Sequence, residues 1–321
     1  MTHALSCMIE FPESGIDGKG IVIRKPESIR IEKSWKQLTD RATIVMARNV
    51  KYFDKFKIKE VFKTGQPLTI SLAANGDMVE EFTGYISKVS AGYPITIECE
   101  DEMYQLKKVP VHVAIEQCTL KELFTSILPG YLVDCLDVNI GSQRHPNTTV
   151  AQVLKTLQDN FGFYSYMKSG TLVCGKIYED DAELEPVKLH LEKNVVNQNL
   201  NFKSKEDVKI KIKGISTLPG GGKLQYEFGE SDGELRQLSY YNIDVLAELE
   251  KIVKKDYERF KADGLTGDVT TYAKPIINHG QKVEIESEWY PERNGVYYVD
   301  TVKTEYSDGG YHRILTLGDK V

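Results

Sequence analysis

One ordered set of blocks occurs twice in this chain. Gly65-Gln66-Pro67-Leu68-Thr69-Ile70 is matched by Gly280-Gln281-Lys282-Val283-Glu284-Ile285. Tyr85-Ile86-Ser87-Lys88-Val89 is matched by Tyr298-Val299-Asp300-Thr301-Val302, and Ile97 through Asp101 by Leu315 through Asp319. Upstream, Ala42, Ile44 and Met46 alternate as Val208, Ile210 and Ile212 do. The blocks keep their order, with insertions between them, which is the signature of a duplicated supersecondary unit. Apolar residues recur at every second position, so that unit is made of strands. Two copies of one unit per chain suit a ring, because three chains would then present six similar units.

The rest of the chain separates into three stretches. Residues 1–110 read as short strands, such as ATIVMA (42–47), LTISLA (68–73), EFTGYISKV (81–89) and ITIECE (95–100). Turn residues such as Asn75-Gly76-Asp77 and Ala91-Gly92-Tyr93-Pro94 divide them, and only IKEVFKTG (58–65) has a helical pattern. Short strands at this spacing predict a barrel or sandwich. From 111 to 186 the period changes. A capping box, Thr119 with Glu122, opens a helix whose stripe is Leu120, Leu123, Phe124, Ile127 and Leu128, and Pro129-Gly130 stops it. A second box, Thr149 with Gln152, opens a helix with Val150, Val153, Leu154, Leu157 and Phe161 inward and Gly162 as its left-handed cap. FYSYM and TLVCGKIY add two strands, and acidic EDDAELEP (179–186) reads as a linker. After 187 come VKIKIKGIS (208–216), a glycine loop, and a helix from about Asn242 to Lys261. KVEIES (282–287) follows, then a closing hairpin around Ser307-Asp308-Gly309-Gly310. The expected class is mostly β with an α+β insert. A first β-barrel domain (1–110) and a second (187–321, with an inserted long helix at about 242–261) flank a small α+β domain (111–186).

Bulk properties exclude several functions. Basic and acidic residues balance in 1–110 and acidic ones dominate 111–186, giving a net charge of −6. No basic footprint for stable nucleic-acid binding is present. The 18 tyrosines favour a β-rich protein that makes contacts. Five scattered cysteines without a CxxC pair read as reduced, buried thiols. The start MTHALSCMIEF lacks the layout of a signal peptide, and no stretch approaches the ~18 apolar residues of a membrane span.

Chemistry-bearing motifs are missing as well. The six histidines belong to no HExxH or other close ligand spacing. In LPGGGKLQY, Lys223 precedes Leu224 where a phosphate loop needs Ser or Thr, so a hairpin tip is expected. Asp232 and Glu234 in SDGE, and Asp263 and Asp268 in DGLTGD, could pair as glycosidase carboxylates, but Asp and Gly are also what turns require. No GxSxG elbow is present. Accordingly no catalytic, cofactor-binding or metal-binding residue is assigned, and no cofactor is expected.

The order of the pieces resembles the tail hub, or baseplate hub, family of contractile-tailed phages, related to the spike proteins of type VI secretion systems. DRATIVMARN, EVFKTGQPLTISL, FTGYISKVSAGYPITIECEDEMYQLKK, VAQVLKTLQDNFGFYSYMKSGTLVCGKIY and YPERNGVYYVDTVKTEYSDGGYHRILTLGD carry the resemblance. It implies a non-enzymatic virion structural protein, made in the host cytoplasm and placed in the tail baseplate. A homotrimer would form a pseudo-sixfold ring between the tail tube protein and the central spike protein, passing DNA or a tape-measure protein. The terminal hairpin would then close the second barrel. Two other readings stay open at this stage: a tail-associated glycan hydrolase using a carboxylate such as Asp232 or Glu234, and a monomeric carbohydrate- or protein-binding module.

Overall fold

The computed structural model describes residues 4–15, 18–46, 58–90, 92–178, 184–218, 222–241 and 243–321. Ala47, Ala91, most of the expected acidic linker (179–183), the glycine-loop tip (219–221) and Asn242 lie outside them.

Period-two alternation builds the first β unit from β1 (Leu5–Phe11), β2 (Ile21–Ile23), β3 (Ser28–Ser34), β4 (Arg41–Met46), β5 (Pro67–Ala74), β6 (Asp77–Val89) and β7 (Ile95–Glu100). Short helices α1 (Ile58–Val61) and α2 (Met103–Leu106) accompany them. The strands pair in the order β3-β4-β7-β6-β5-β1-β2. Their inward residues, among them Ile9, Phe11, Ile29, Ile31, Ile44, Ile70 and Ile97, form one core. Asn75 and Gly76, at φ 63 and 102, make the tight β5–β6 turn that Asn-Gly favours because both central residues need positive φ.

A helical module follows, comprising β8 (Pro110–Thr119), α3 (Leu120–Ile127), β9 (Val133–Cys135), β10 (Asn139–Thr149), α4 (Val150–Phe161), β11 (Ser165–Lys168) and β12 (Thr171–Cys174). Both capping boxes form. Thr119 Oγ1 accepts from Glu122 N–H at 3.2 Å, and Thr149 N–H donates to Gln152 Oε1 at 3.0 Å. Gly162 closes α4 at φ 72. The two apolar stripes meet in a separate core around Leu123, Phe124, Val153 and Leu157. Five strands are present where two were expected. The long β8–β10 ribbon is broken by three register shifts; Val111, Val113 and Ile115 alternate in β8, but β10, NIGSQRHPNTT, carries no apolar alternation that would announce its partner.

The second β unit starts with β13 (Val187–His190) and β14 (Val195–Lys203) and is then interrupted. The interruption is larger than the expected helix. β15 (Ile210–Thr217), β16 (Lys223–Gly229) and β17 (Glu234–Tyr241) form their own sheet under α5 (Leu246–Phe260). Ile210, Ile212, Leu249, Val253 and Tyr257 make its core. Gly214 is required there, since a Cβ would lie 2.3 Å from Val253 Cγ2. The unit resumes with β18 (Gly264–Tyr272), β19 (Lys282–Glu286), β20 (Gly295–Ser307) and β21 (Gly310–Lys320), around Val269, Val283, Ile285, Val299 and Leu315.

The Gly-Gln repeat is a matched piece of geometry. Gly65 N–H donates to Ile86 O at 2.7 Å and Ile86 N–H to Gln66 O at 2.9 Å; Gly280, Val299 and Gln281 repeat both bonds at the same lengths. Gln66 Oε1 accepts from Lys63 N–H at 2.9 Å, and Gln281 Oε1 from Asn278 N–H at 3.0 Å. Both glycines have positive φ, 88 and 83. The pairing registers agree as well. Ile86↔Cys99, Lys88↔Glu98 and Val89↔Ile97 correspond to Val299↔Leu317, Thr301↔Thr316 and Val302↔Leu315, with the register shift at the same place. Ile44 faces Ile97 as Val269 faces Leu315. The partner of β4 in the repeat is therefore β18. The sequence match of Ala42, Ile44 and Met46 to Val208, Ile210 and Ile212 fails because alternation alone does not distinguish one strand from another.

The two units share one sheet. Thr301 through Ser307 of β20 pair antiparallel with Ser34 through Ser28 of β3, and the strand path runs from β14 to β2 through this seam. No closed barrel forms among the described strands. The terminal hairpin thus serves both cores: Val302 and Leu315 pack in the second, Tyr306 and Tyr311 in the first.

Candidate functional site

Two polar nodes at the seam join the β units. At the first, Glu81 of β6 is the residue left over at a register shift between Ile70↔Phe82 and Ser71↔Glu80, so Glu81 and Phe82 are both buried. Arg313 follows the inward positions of β21, between Tyr311 and Leu315. Arg313 Nη1 donates to Glu81 Oε2 at 3.0 Å, and its Nε to Ala273 O at 2.9 Å. Tyr311 OH donates to Glu81 Oε1 at 2.6 Å. Burial opposes the Glu81 charge, but the Arg313 hydrogen bonds and charge, with the Tyr311 hydroxyl, hold its carboxyl below the usual range.

The second node is Asp300, at the repeated register shift of β20. Its carboxylate accepts from Trp35 Nε1 at 3.0 Å and Tyr178 OH at 2.9 Å and pairs with Lys36 Nζ at 2.7 Å. Trp35 comes from the first unit and Tyr178 from the end of the helical module, so one carboxylate fixes three parts of the chain. Tyr178 also stacks on Tyr298, with centroids 3.9 Å apart. Gly318 lies against the node: a Cβ there would be 2.3 Å from Asp300 Oδ1. Beside it opens a cleft of about 880 Å³ lined by Trp35, Tyr164, Tyr240, Arg236, Arg259 and Asp319. Burial raises the Asp319 carboxyl, against the pull of Arg236 and Arg259.

The residues weighed as chemical candidates are scattered. Asp232 is exposed and paired with Lys209 Nζ at 2.5 Å, whose hydrogen bond holds its carboxyl low. Glu234 is exposed at the start of β17. Asp268 accepts from Thr316 Oγ1 at 2.7 Å, and Asp263 from Lys205 N–H at 2.6 Å. His279 is buried edge-on to Tyr166, and burial lowers its pKa to about 4. All five cysteines are free, and four are buried. Among the described residues no three His, Cys, Asp or Glu side chains gather as a metal site. The seam residues Glu81, Arg313, Trp35, Asp300 and Tyr178 carried no motif. The one sequence signal was an arginine at an inward position of YHRILTL.

No family model and no curated protein matches the sequence. Solved structures do match the fold. A tail protein from Neisseria meningitidis aligns with a TM-score of 0.64 at 16% identity, covering 99% of this chain and 97% of that one. The 43 kDa tail protein of prophage MuSo2 from Shewanella oneidensis gives 0.64 at 16% identity, covering 99% and 98%. A type VI secretion system component from E. coli, described as structurally similar to T4 tail proteins gp27 and gp5, gives 0.54 at 11% identity, covering 92% and 73%. At these identities the fold alone is shared, and it spans nearly the whole chain: this protein has the fold of phage tail proteins and of a related type VI secretion component.

Proposed function

We propose that the chain is a structural hub of a contractile phage tail or a phage-derived injection machine. Three copies form a pseudo-sixfold ring that joins a sixfold tail tube to a threefold central spike. The observation that carries this reading is the register-matched duplication of the β unit, because two equivalent units in each of three chains supply six positions around one axis. In this reading residues 1–110 and 187–321 are the two tube-forming barrel domains, completed on assembly, and 111–186 is a small α+β domain beside them. The shared fold with tail proteins supports it. So does the net charge of −6, since a lumen that passes DNA or a tape-measure protein should not grip it. The partners are further copies, the tube protein and the spike protein, in the baseplate of a tail assembled in the host cytoplasm. The chain performs no catalysis; the lowered carboxyl of Asp232 is the reverse of what a glycosidase acid needs.

Light scattering on the purified chain tests this. A mass three times 36.4 kDa, with rings and a central channel in negative-stain images, is expected. A monomer at every concentration refutes the ring.

A further inference from the structure

The free edge of β14 is the unmatched feature of the repeat. Its counterpart β3 lies between β4 and β20, with Ile29 and Ile31 buried. Among the described strands β14 pairs with β18 alone. Seven of its nine residues are exposed, including Phe202 at 48% and Val196 at 42%. A long edge strand with exposed apolar side chains is a template for another strand. The intrachain seam says which strand fits: β3 is covered by the second unit's β20, whose equivalent in the first unit is β6.

We infer that β14 receives the end of β6 from a second copy of this chain, head to tail, in the register β20 uses on β3. This rests on the ring reading and names its contact. Thr301 and Val302 lie opposite Ser34 and Lys33, and the repeat carries these two residues to Lys88 and Val89. Ile29 faces Ile44 as Gln198 faces Val269, so Ser34 and Lys33 correspond to Lys203 and Phe202. The transferred register sets Val89 opposite Phe202 and Ser90 opposite Asn201. Val89 with Phe202 is an apolar cross-strand pair that removes the exposed ring from water. Lys88, which meets Lys203 in this register, already has its charge matched by Glu98 at 2.9 Å. Such a contact is heterologous, joining two different faces, and therefore builds a ring when its rotation closes. Around that ring, β20–β3 seams within chains alternate with β6–β14 seams between them.

The test is the double variant Val89→Cys/Phe202→Cys. Directly opposed strand residues have Cβ atoms about 4.5–5.5 Å apart, near the reach of a disulfide. Mild oxidation should give covalent dimers and a trimer on a non-reducing gel, absent from either single variant and lost on reduction. A trimeric mass without these cross-links overturns the β14 contact and leaves the ring standing. Monomers alone in both assays overturn both. Phe202→Lys gives a second reading that does not depend on oxidation. It should weaken association about tenfold or more while monomer melting stays unchanged, because the ring is already exposed in one chain. An association curve superimposable on the parent's overturns the contact.

Discussion

Replacing Glu81 is the sharpest probe of the seam. Its carboxylate is 4% exposed and Arg313 is 2% exposed, so neither charge has water to fall back on. Glu81→Leu would leave a buried guanidinium held, among the described residues, by Ala273 O, Thr304 Oγ1 and Tyr311 OH. Breaking one side of such a pair costs roughly 3–5 kcal/mol, whereas replacing both partners by apolar residues comes close to neutral. Arg313→Met alone should cost a similar roughly 3 kcal/mol or more. The double variant should fall well short of the sum, giving a coupling of roughly 2 kcal/mol or more after allowing for the orphaned Ala273 carbonyl. Urea titration followed by Trp35 fluorescence reports it, because Trp35 sits at the neighbouring node. The pH dependence adds a second check. The folded Glu81 carboxyl lies below its ordinary 4.5, so its stabilisation is present above that value and is lost as pH falls through the folded pKa. Glu81→Gln should remove that acid-limb loss. Coupling below about 0.5 kcal/mol would refute the view that this pair locks the two units.

Other perturbations probe the remaining contacts. Asp300→Ala orphans Trp35 Nε1 and Tyr178 OH and should cost about 3 kcal/mol in urea titration; Asp300→Asn keeps an acceptor and should cost under about 1 kcal/mol. Gly318→Ala drives a methyl onto Asp300 and should cost roughly 1–3 kcal/mol by thermal melting, with less loss in an Asp300→Ala background. Burial pushes Asp40 up to about 7, and burial with the Asp40 charge pushes Asp101 up to about 8. The folded chain keeps protons that the unfolded chain has released, so stability falls as pH rises from 3.8 through these values. Asp40→Asn retains the acceptor for Ser34 N–H and should lessen the fall in melting temperature between pH ~4 and ~8.

Features that depend on neighbours along the chain were legible before any strand was paired. Thr119 with Glu122 caps a helix wherever that helix sits, and Asn75-Gly76 turns because of its own backbone freedom. The Gly-Gln block was legible twice because a positive-φ glycine and a side chain that bonds three residues back are local devices. Alternation located most strands of the β units but not their partners, and so it paired β15 with β4. Tertiary structure alone decided that β20 crosses to β3, that three strands shelter α5, and that Glu81 meets Arg313 across 232 residues. A register shift turns Glu81 inward, and an inward arginine is tolerable only once that carboxylate faces it. Charge compensation and strand pairing are properties of positions in space, and one chain's local pattern does not encode which distant strand will supply them.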